Sequence, residues 1–161
     1  MSNTIKMTLS INGEKREETV GSTETLLETL RRLGYVEVKC GCEKGDCGAC
    51  AVLLDGQAID SCLTLTGTVE GCEIVTVKGL GSVENPHPLH TSFIDLGASQ
   101  CGYCTPGMVI AAQSMLTNDN ANPTEDEIRV GLSGNLCRCT GYTKIFDAVM
   151  EASKVMSEKG E

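Results

Sequence analysis

Hydrophobic and polar residues alternate at the start of the chain. The apolar residues are separated from one another by single polar ones: Ile5, Met7, Leu9 and Ile11. This period of two predicts a half-buried β-strand. Asn12-Gly13 follows, a pair typical of tight hairpin turns, so we expect residues 14–20 to return as a second strand.

A helical period replaces the alternation after Gly21. Four leucines fall on one face of a helix: Leu26, Leu27, Leu30 and Leu33. We expect Ser22 or Thr23 to cap the start of this helix and Gly34 to end it. Short strands are then predicted at 51–54, before an Asp55-Gly56 turn, and at 73–77. This part of the chain is predicted to form a small mixed sheet packed on a helix.

The composition of the chain changes at Lys78. Residues 79–88 are mainly Gly, Pro and polar residues, which is typical of a linker. Beyond them the apolar residues recur at helical spacing in four stretches, with Thr105-Pro106 expected to begin the second and a Thr124–Glu127 capping box the third. We predict an α+β protein with a sheet-containing domain at 1–78, a linker at 79–88 and an all-α four-helix domain at 89–161.

Three cysteines in the first domain have the spacing C-x4-C-x2-C, and a fourth follows eleven residues later. They are Cys42, Cys47, Cys50 and Cys62. This is the spacing of plant-type [2Fe–2S] ferredoxins. The interleaved Gly41, Gly45 and Gly48 allow a loop to turn its amide groups toward sulfur. Zinc sites use short C-x2–4-C steps at two places, a pattern that fits this set less well.

Two further cysteine pairs lie in the second domain, Cys101 with Cys104 and Cys137 with Cys139. A predicted helix begins just after each pair, and the positive end of a helix dipole favours thiolates. The two pairs are therefore expected to converge on one anionic centre. Their spacing alone leaves both a zinc ion and an iron–sulfur cluster open.

Composition and charge narrow the function further. The 161 residues include ten cysteines but only 3% aromatic residues and no Trp, so two small domains need cross-links beyond their apolar cores. A net charge of −9 argues against nucleic acid as a ligand. We expect no secretory signal and no membrane span, and hence a reducing cytoplasm, where many cysteines indicate metal or redox chemistry.

Four segments together resemble one family. They are V-K-C-G-C-E-K-G-D-C-G-A-C, D-S-C at 60–62, Q-C-G-Y-C-T-P-G-M and G-N-L-C-R-C-T-G-Y. In this order the chain is similar to the small iron–sulfur subunit of the molybdenum hydroxylases, the xanthine oxidase family. The resemblance implies a plant-type ferredoxin (β-grasp) domain followed by a four-helix domain, each with one [2Fe–2S] cluster. It assigns the first cluster to Cys42, Cys47, Cys50 and Cys62 and the second to Cys101, Cys104, Cys137 and Cys139.

The resemblance also implies a function and partners. The chain is expected to pass electrons between the molybdenum site of a large subunit and a flavin on a medium subunit, in a hetero-oligomer such as a dimer of heterotrimers. Gln100 matches the position that contacts the molybdopterin. A purine or another N-heterocycle is the first guess for the substrate, which would bind to the partner. A free-standing two-cluster carrier and a zinc-binding interaction module are the alternatives.

Two cysteines have no counterpart in this scheme. The family usually has another residue at the position of Cys40, and Cys72 lies beside a turn glycine. We expect neither to be a ligand.

Overall fold

Two antiparallel strands joined by a tight turn open the structure, a computed structural model that describes residues 3–159. The strands are β1 (Thr4–Ile11) and β2 (Glu14–Gly21), with Ile11 paired to Glu14 across the turn. Asn12 and Gly13 have φ values of 53° and 81°. Both therefore lie in the left-handed region that a two-residue hairpin turn requires, and the predicted hairpin is confirmed.

Three short strands complete the sheet, β3 (Ala51–Leu54), β4 (Gln57–Asp60) and β5 (Glu73–Val75). The strand order is β2-β1-β5-β3-β4, with β1 and β5 parallel and the other neighbours antiparallel. We did not predict β4, because Q-A-I-D is too short and too polar to show a period. The strand predicted at 73–77 ends at Val75, and a 3-10 helix occupies Val77–Leu80.

The first helix, α1 (Leu26–Arg32), buries its leucines against the sheet residues Leu9 and Ile11. The cap predicted at Ser22 or Thr23 is wrong. Thr25 caps the helix, since its side chain accepts the amide of Glu28 while the Glu28 carboxylate accepts the amide of Thr25. This reciprocal pair satisfies two amides that the first turn leaves without partners.

The second part of the described chain contains the four predicted helices: α2 (Pro88–Asp95), α3 (Thr105–Asn118), α4 (Glu125–Gly131) and α5 (Thr143–Lys159). The capping box of Thr124 and Glu127 is confirmed. The start of α3 differs by one residue from the prediction. Cys104, not Thr105, is the N-cap, because its carbonyl already accepts the amide of Met108 at 3.0 Å.

Each half has its own apolar core, and a third, smaller core joins them. In this joint core Ile110 of α3 is fully buried against Ala51 and Leu53 of β3. A buried carboxylate fixes the segment that follows β5: Glu37 accepts the hydroxyl of Thr76 at 3.0 Å and pairs with Lys78 at 3.2 Å. The joint core holds the helical half on the sheet.

The α+β class is confirmed. The outer limits of the predicted domains, residues 1 and 161, lie outside the described residues, and the divisions at 78 and 88 stay a prediction. Over the part of the chain described here, no helix is both long and apolar enough to cross a bilayer.

The joint core yields a stability prediction. Ile110→Ala removes a fully buried side chain, and we expect it to lower the free energy of unfolding by about 2–5 kcal/mol. Ile94→Ala is the matched control, because Ile94 is 75% exposed and its loss is expected to change stability by less than about 0.5 kcal/mol. Denaturant unfolding of the full chain measures both, and equal losses would contradict the role of the joint core.

Candidate metal centres

The first cysteine set lies on an irregular loop that runs from α1 to β3 and on the turn that follows β4. The loop contains Cys42, Cys47 and Cys50, and the turn contains Cys62. The fold places the thiol of Cys42 beside that of Cys47, and the thiol of Cys50 beside that of Cys62. Four residues, of which the first and last are 20 positions apart in the chain, thus form two adjacent pairs.

Backbone amides stabilise negative charge on Cys42. Its Sγ accepts the amide of Lys44 at 3.4 Å and that of Asp46 at 3.3 Å. These two hydrogen bonds lower the pKa of Cys42 to about 7. The loop can present its amides in this way because Glu43 and Gly45 have φ values of 55° and 78°, which curl the backbone around the sulfur.

The other pair of the first set is buried. Cys50 and Cys62 are only 3% and 7% exposed. Burial raises the pKa of Cys50 to about 12, because an isolated thiolate is poorly solvated there. Such a thiol loses its proton readily only when a metal binds, because the positive charge of the metal stabilises the thiolate. Cys50 is therefore poorly suited to free thiolate chemistry and well suited to metal binding.

Glycine is required where the loop turns tightly around these sulfurs. A Cβ on Gly41 would lie 2.6 Å from the Sγ of Cys47, closer than side chains pack. The loop packs so closely against the Cys47 thiol that position 41 has no space for a side chain. Such close packing suits a loop that encloses a compact inorganic group.

The second cysteine set also forms two pairs, and each pair joins two separate loops. Cys101 contacts Cys139, and Cys104 contacts Cys137. Cys101 and Cys139 are exposed, whereas Cys104 and Cys137 are partly buried. The expected convergence of the two close-spaced motifs is present in the fold.

The two inner thiols of the second set differ in acidity. Burial raises the pKa of Cys104 to about 12. Burial also acts on Cys137, but the hydroxyl and the amide of Thr140, at 3.1 and 3.5 Å from its Sγ, outweigh it and bring its pKa to about 7. Thr140 thus performs at Cys137 the role that the loop amides perform at Cys42.

Tyr142 orders the loop that carries Cys137, a role that we did not predict. Its hydroxyl accepts the amide of Cys137 at 2.8 Å and donates to the carbonyl of Asn135 at 3.3 Å. Its backbone has a φ of 70°, which turns the chain just before α5 begins. A tyrosine one turn after a cysteine pair gives no signal of these contacts in the sequence.

The pairwise arrangement of the sulfurs bears on which metal they fit. Four thiolates around one zinc, each about 2.3 Å from it, must all be mutual neighbours. Two irons bridged by sulfide instead need four cysteines per cluster, which two adjacent pairs can supply. The two adjacent pairs of each set fit a two-iron cluster.

The remaining sequence candidates lie outside these pairs. The thiol of Cys40 donates to the Glu43 carboxylate at 2.8 Å, and this bond raises its pKa. Cys72 bonds in the same way to Asp55. Gln100 lies exposed beside Cys101. We call the exposed Cys101 and Cys139 the outer end of the second set, and Gln100 lies at this end. Cys40 and Cys72 are instead bonded to carboxylates.

Comparison with known proteins matches each half of the chain to a family of iron–sulfur domains. The family model of a 2Fe-2S iron-sulfur cluster binding domain matches residues 9–73, and that of a [2Fe-2S] binding domain matches residues 76–150. The nicotinate dehydrogenase small FeS subunit of Eubacterium barkeri is 44% identical over 151 residues, which cover 93% of this chain and 96% of that subunit. The xanthine dehydrogenase iron-sulfur-binding subunit of Escherichia coli O157:H7 is 44% identical over 154 residues, or 95% and 97% of the two chains.

A solved structure agrees over nearly the full length. One chain of the crystal structure of quinoline 2-oxidoreductase from Pseudomonas putida 86 superposes with a TM-score of 0.93 and 43% identity, and 99% of each chain is covered. The likeness therefore extends to the arrangement of the two halves as well as to each half alone.

The contrast between Cys40 and Cys42 can be tested by substitution. We expect Cys42→Ser to lose about half of the iron bound by the chain, because it removes the thiol toward which two loop amides point. Cys40→Ser is the matched control and is expected to keep all of it, since its thiol is bonded to Glu43. Iron and acid-labile sulfide per chain measure both, and equal loss in the two variants would make Cys40 a ligand.

Proposed function

The chain belongs to the small [2Fe–2S] iron–sulfur subunits of the molybdenum hydroxylase family, and from this membership we propose which residues perform its function. The first cluster is assigned to Cys42, Cys47, Cys50 and Cys62. The second is assigned to Cys101, Cys104, Cys137 and Cys139. The observation that carries the assignment is the pairing of these eight thiols into two sets of two adjacent pairs.

The protein is an electron-transfer subunit of a molybdenum-containing oxidoreductase, and its partner chain holds the substrate site. Each [2Fe–2S] cluster, when bound, takes up and releases one electron at a time. The residues of this chain supply position and environment. Amides aimed at Cys42 and the Thr140 hydroxyl at Cys137 offset negative charge on sulfur, which favours the reduced state.

Burial controls access to the two sets. Cys50 and Cys62 lie inside the first half, so solvent is excluded from that side of the first set. Cys101 and Cys139 lie on the surface of the second half, and the exposed Gln100 lies next to them. We assign this outer end, with Gln100 as the contact, to the molybdopterin of the partner. With both clusters bound, this placement would let electrons pass from the second set to the first.

The partners we propose follow from the same membership. They are a molybdopterin-binding large subunit and an FAD-binding medium subunit, assembled as a dimer of heterotrimers. The names of similar subunits, nicotinate dehydrogenase and xanthine dehydrogenase, refer to N-heterocyclic compounds, which supports an N-heterocycle such as a purine as the substrate of the complex. We propose a cytoplasmic location, because a chain with ten cysteines keeps its thiols available for metal in a reducing compartment.

The metal content of the purified full chain tests the assignment directly. We expect visible absorption from iron–sulfur clusters, and two distinct EPR signals after reduction. A colourless, EPR-silent protein that contains zinc would overturn the function in favour of an interaction module. Native purification tests the partners: a lone chain with no molybdopterin-containing subunit would favour a free-standing carrier.

The electron path predicts the effect of one substitution in the assembled complex. We expect Cys137→Ser to stop the reoxidation of the partner's molybdenum by the distal acceptor, because it removes one of the four proposed ligands of the second cluster. Cys72→Ser, a matched change at a thiol bonded to Asp55, is expected to leave turnover intact. Stopped-flow reduction with substrate measures both. Unchanged turnover in Cys137→Ser would refute this path.

A further inference from the structure

The backbones of the two cysteine-bearing halves touch at one buried point. Gly48 lies between Cys47 and Cys50 of the first set, and Gly107 lies in the first turn of α3, three residues after Cys104 of the second. A Cβ on Gly107 would lie 2.1 Å from the carbonyl oxygen of Gly48. Since Cβ atoms are essentially never found within 3.0 Å of such an atom, the contact exists only because position 107 has no side chain.

A second residue contacts the same carbonyl of Gly48. Asn135, two residues before Cys137, is 7% exposed and donates from Nδ2 to the Gly48 carbonyl at 3.2 Å. Gly48 has a φ of 65°, and a Cβ there would lie 2.4 Å from the same Nδ2. The Asn135 amide thus occupies the space that a side chain at position 48 would need.

Two hydrogen bonds flank this contact and join the same loops. The amide of Leu136 donates to the carbonyl of Cys47 at 3.0 Å, and the hydroxyl of Tyr103 donates to the carbonyl of Cys40. Every loop that carries a cysteine of the second set is therefore bonded or packed against the loop of the first set. We call Gly48, Gly107 and Asn135 the junction.

We propose that the junction sets the separation between the two cysteine sets, and thereby the electronic coupling between the clusters that they hold. The proposal rests on the ligand assignment above. Each junction residue is one to three positions from a proposed ligand, so the chain has little slack between the contact and the sulfurs. Packed interiors transmit displacements, and electron transfer between two centres weakens steeply as their distance grows. The three residues act as positioning residues.

Gly107→Ala is the test, with the full chain carrying both clusters. The added methyl group meets the Gly48 carbonyl and the Cα of Ala49, which would be 3.1 Å away. These are backbone atoms that cannot rotate aside, so the loops must separate. The measurement is the magnetic splitting in the EPR spectrum when both clusters are reduced. We expect this splitting to be reduced or lost while each cluster keeps its own signal.

Gly134→Ala is the matched control, because a Cβ at that position meets nothing within 4 Å. It is expected to keep the splitting of the unchanged chain. Should Gly107→Ala fail to bind both clusters, Asn135→Ala takes its place, since it removes the donor to Gly48 while Ala51 still donates to that carbonyl. This variant too is expected to reduce the splitting.

The outcomes separate this proposal from the ligand assignment. If Gly107→Ala folds, binds both clusters and keeps the splitting of the original chain, the proposed role of the junction is overturned and the ligand assignment stands. The same conclusion follows if the original chain shows no splitting. A variant that only unfolds more easily, with its splitting intact, would show that the junction serves packing alone. Absence of any iron–sulfur signal in the unchanged chain would overturn the ligand assignment itself.

Discussion

Negative charge on closely spaced sulfurs is the constraint on which the rest of the structure depends. In each set burial raises the pKa of one thiol to about 12, Cys50 in the first set and Cys104 in the second, so these two thiols lose their protons only when a metal binds. Each set also has one thiol with a pKa of about 7, at Cys42 and Cys137. Each set thus combines one thiol that ionises near neutral pH with one that burial keeps protonated until a metal binds.

The two sets reach this arrangement by different local means. The first relies on a loop without regular structure, in which positive φ values at Glu43 and Gly45 aim amides at sulfur. The second relies on short segments before α3 and α5, in which Thr140 and Tyr142 hold the chain near Cys137. Similar thiol chemistry thus arises from a curled loop in a β-rich half and from helix starts in an α-helical half.

Local signals predicted most of the elements correctly, and the errors have local causes. The hairpin at Asn12-Gly13 and the capping box at Thr124 were predicted because turn and cap residues act within four positions. The strand β4 was missed because Q-A-I-D forms a strand only by pairing with β3. The cap of α1 was placed too early because several Ser and Thr residues precede it, and only the reciprocal bond with Glu28 selects Thr25.

The sequence by itself determined the α+β class, the two cysteine sets and the helices that follow the second, because spacing and period are properties of neighbouring residues. The tertiary structure alone decided which thiols become partners, which of them are buried, and how the two halves meet. Cys104 and Cys137 are 33 positions apart, and Gly48 and Gly107 are 59 positions apart, so their contact depends on how β3, α3 and the intervening loops pack. No local pattern encodes that packing, since it arises from a buried core shared by residues such as Ala51 and Ile110.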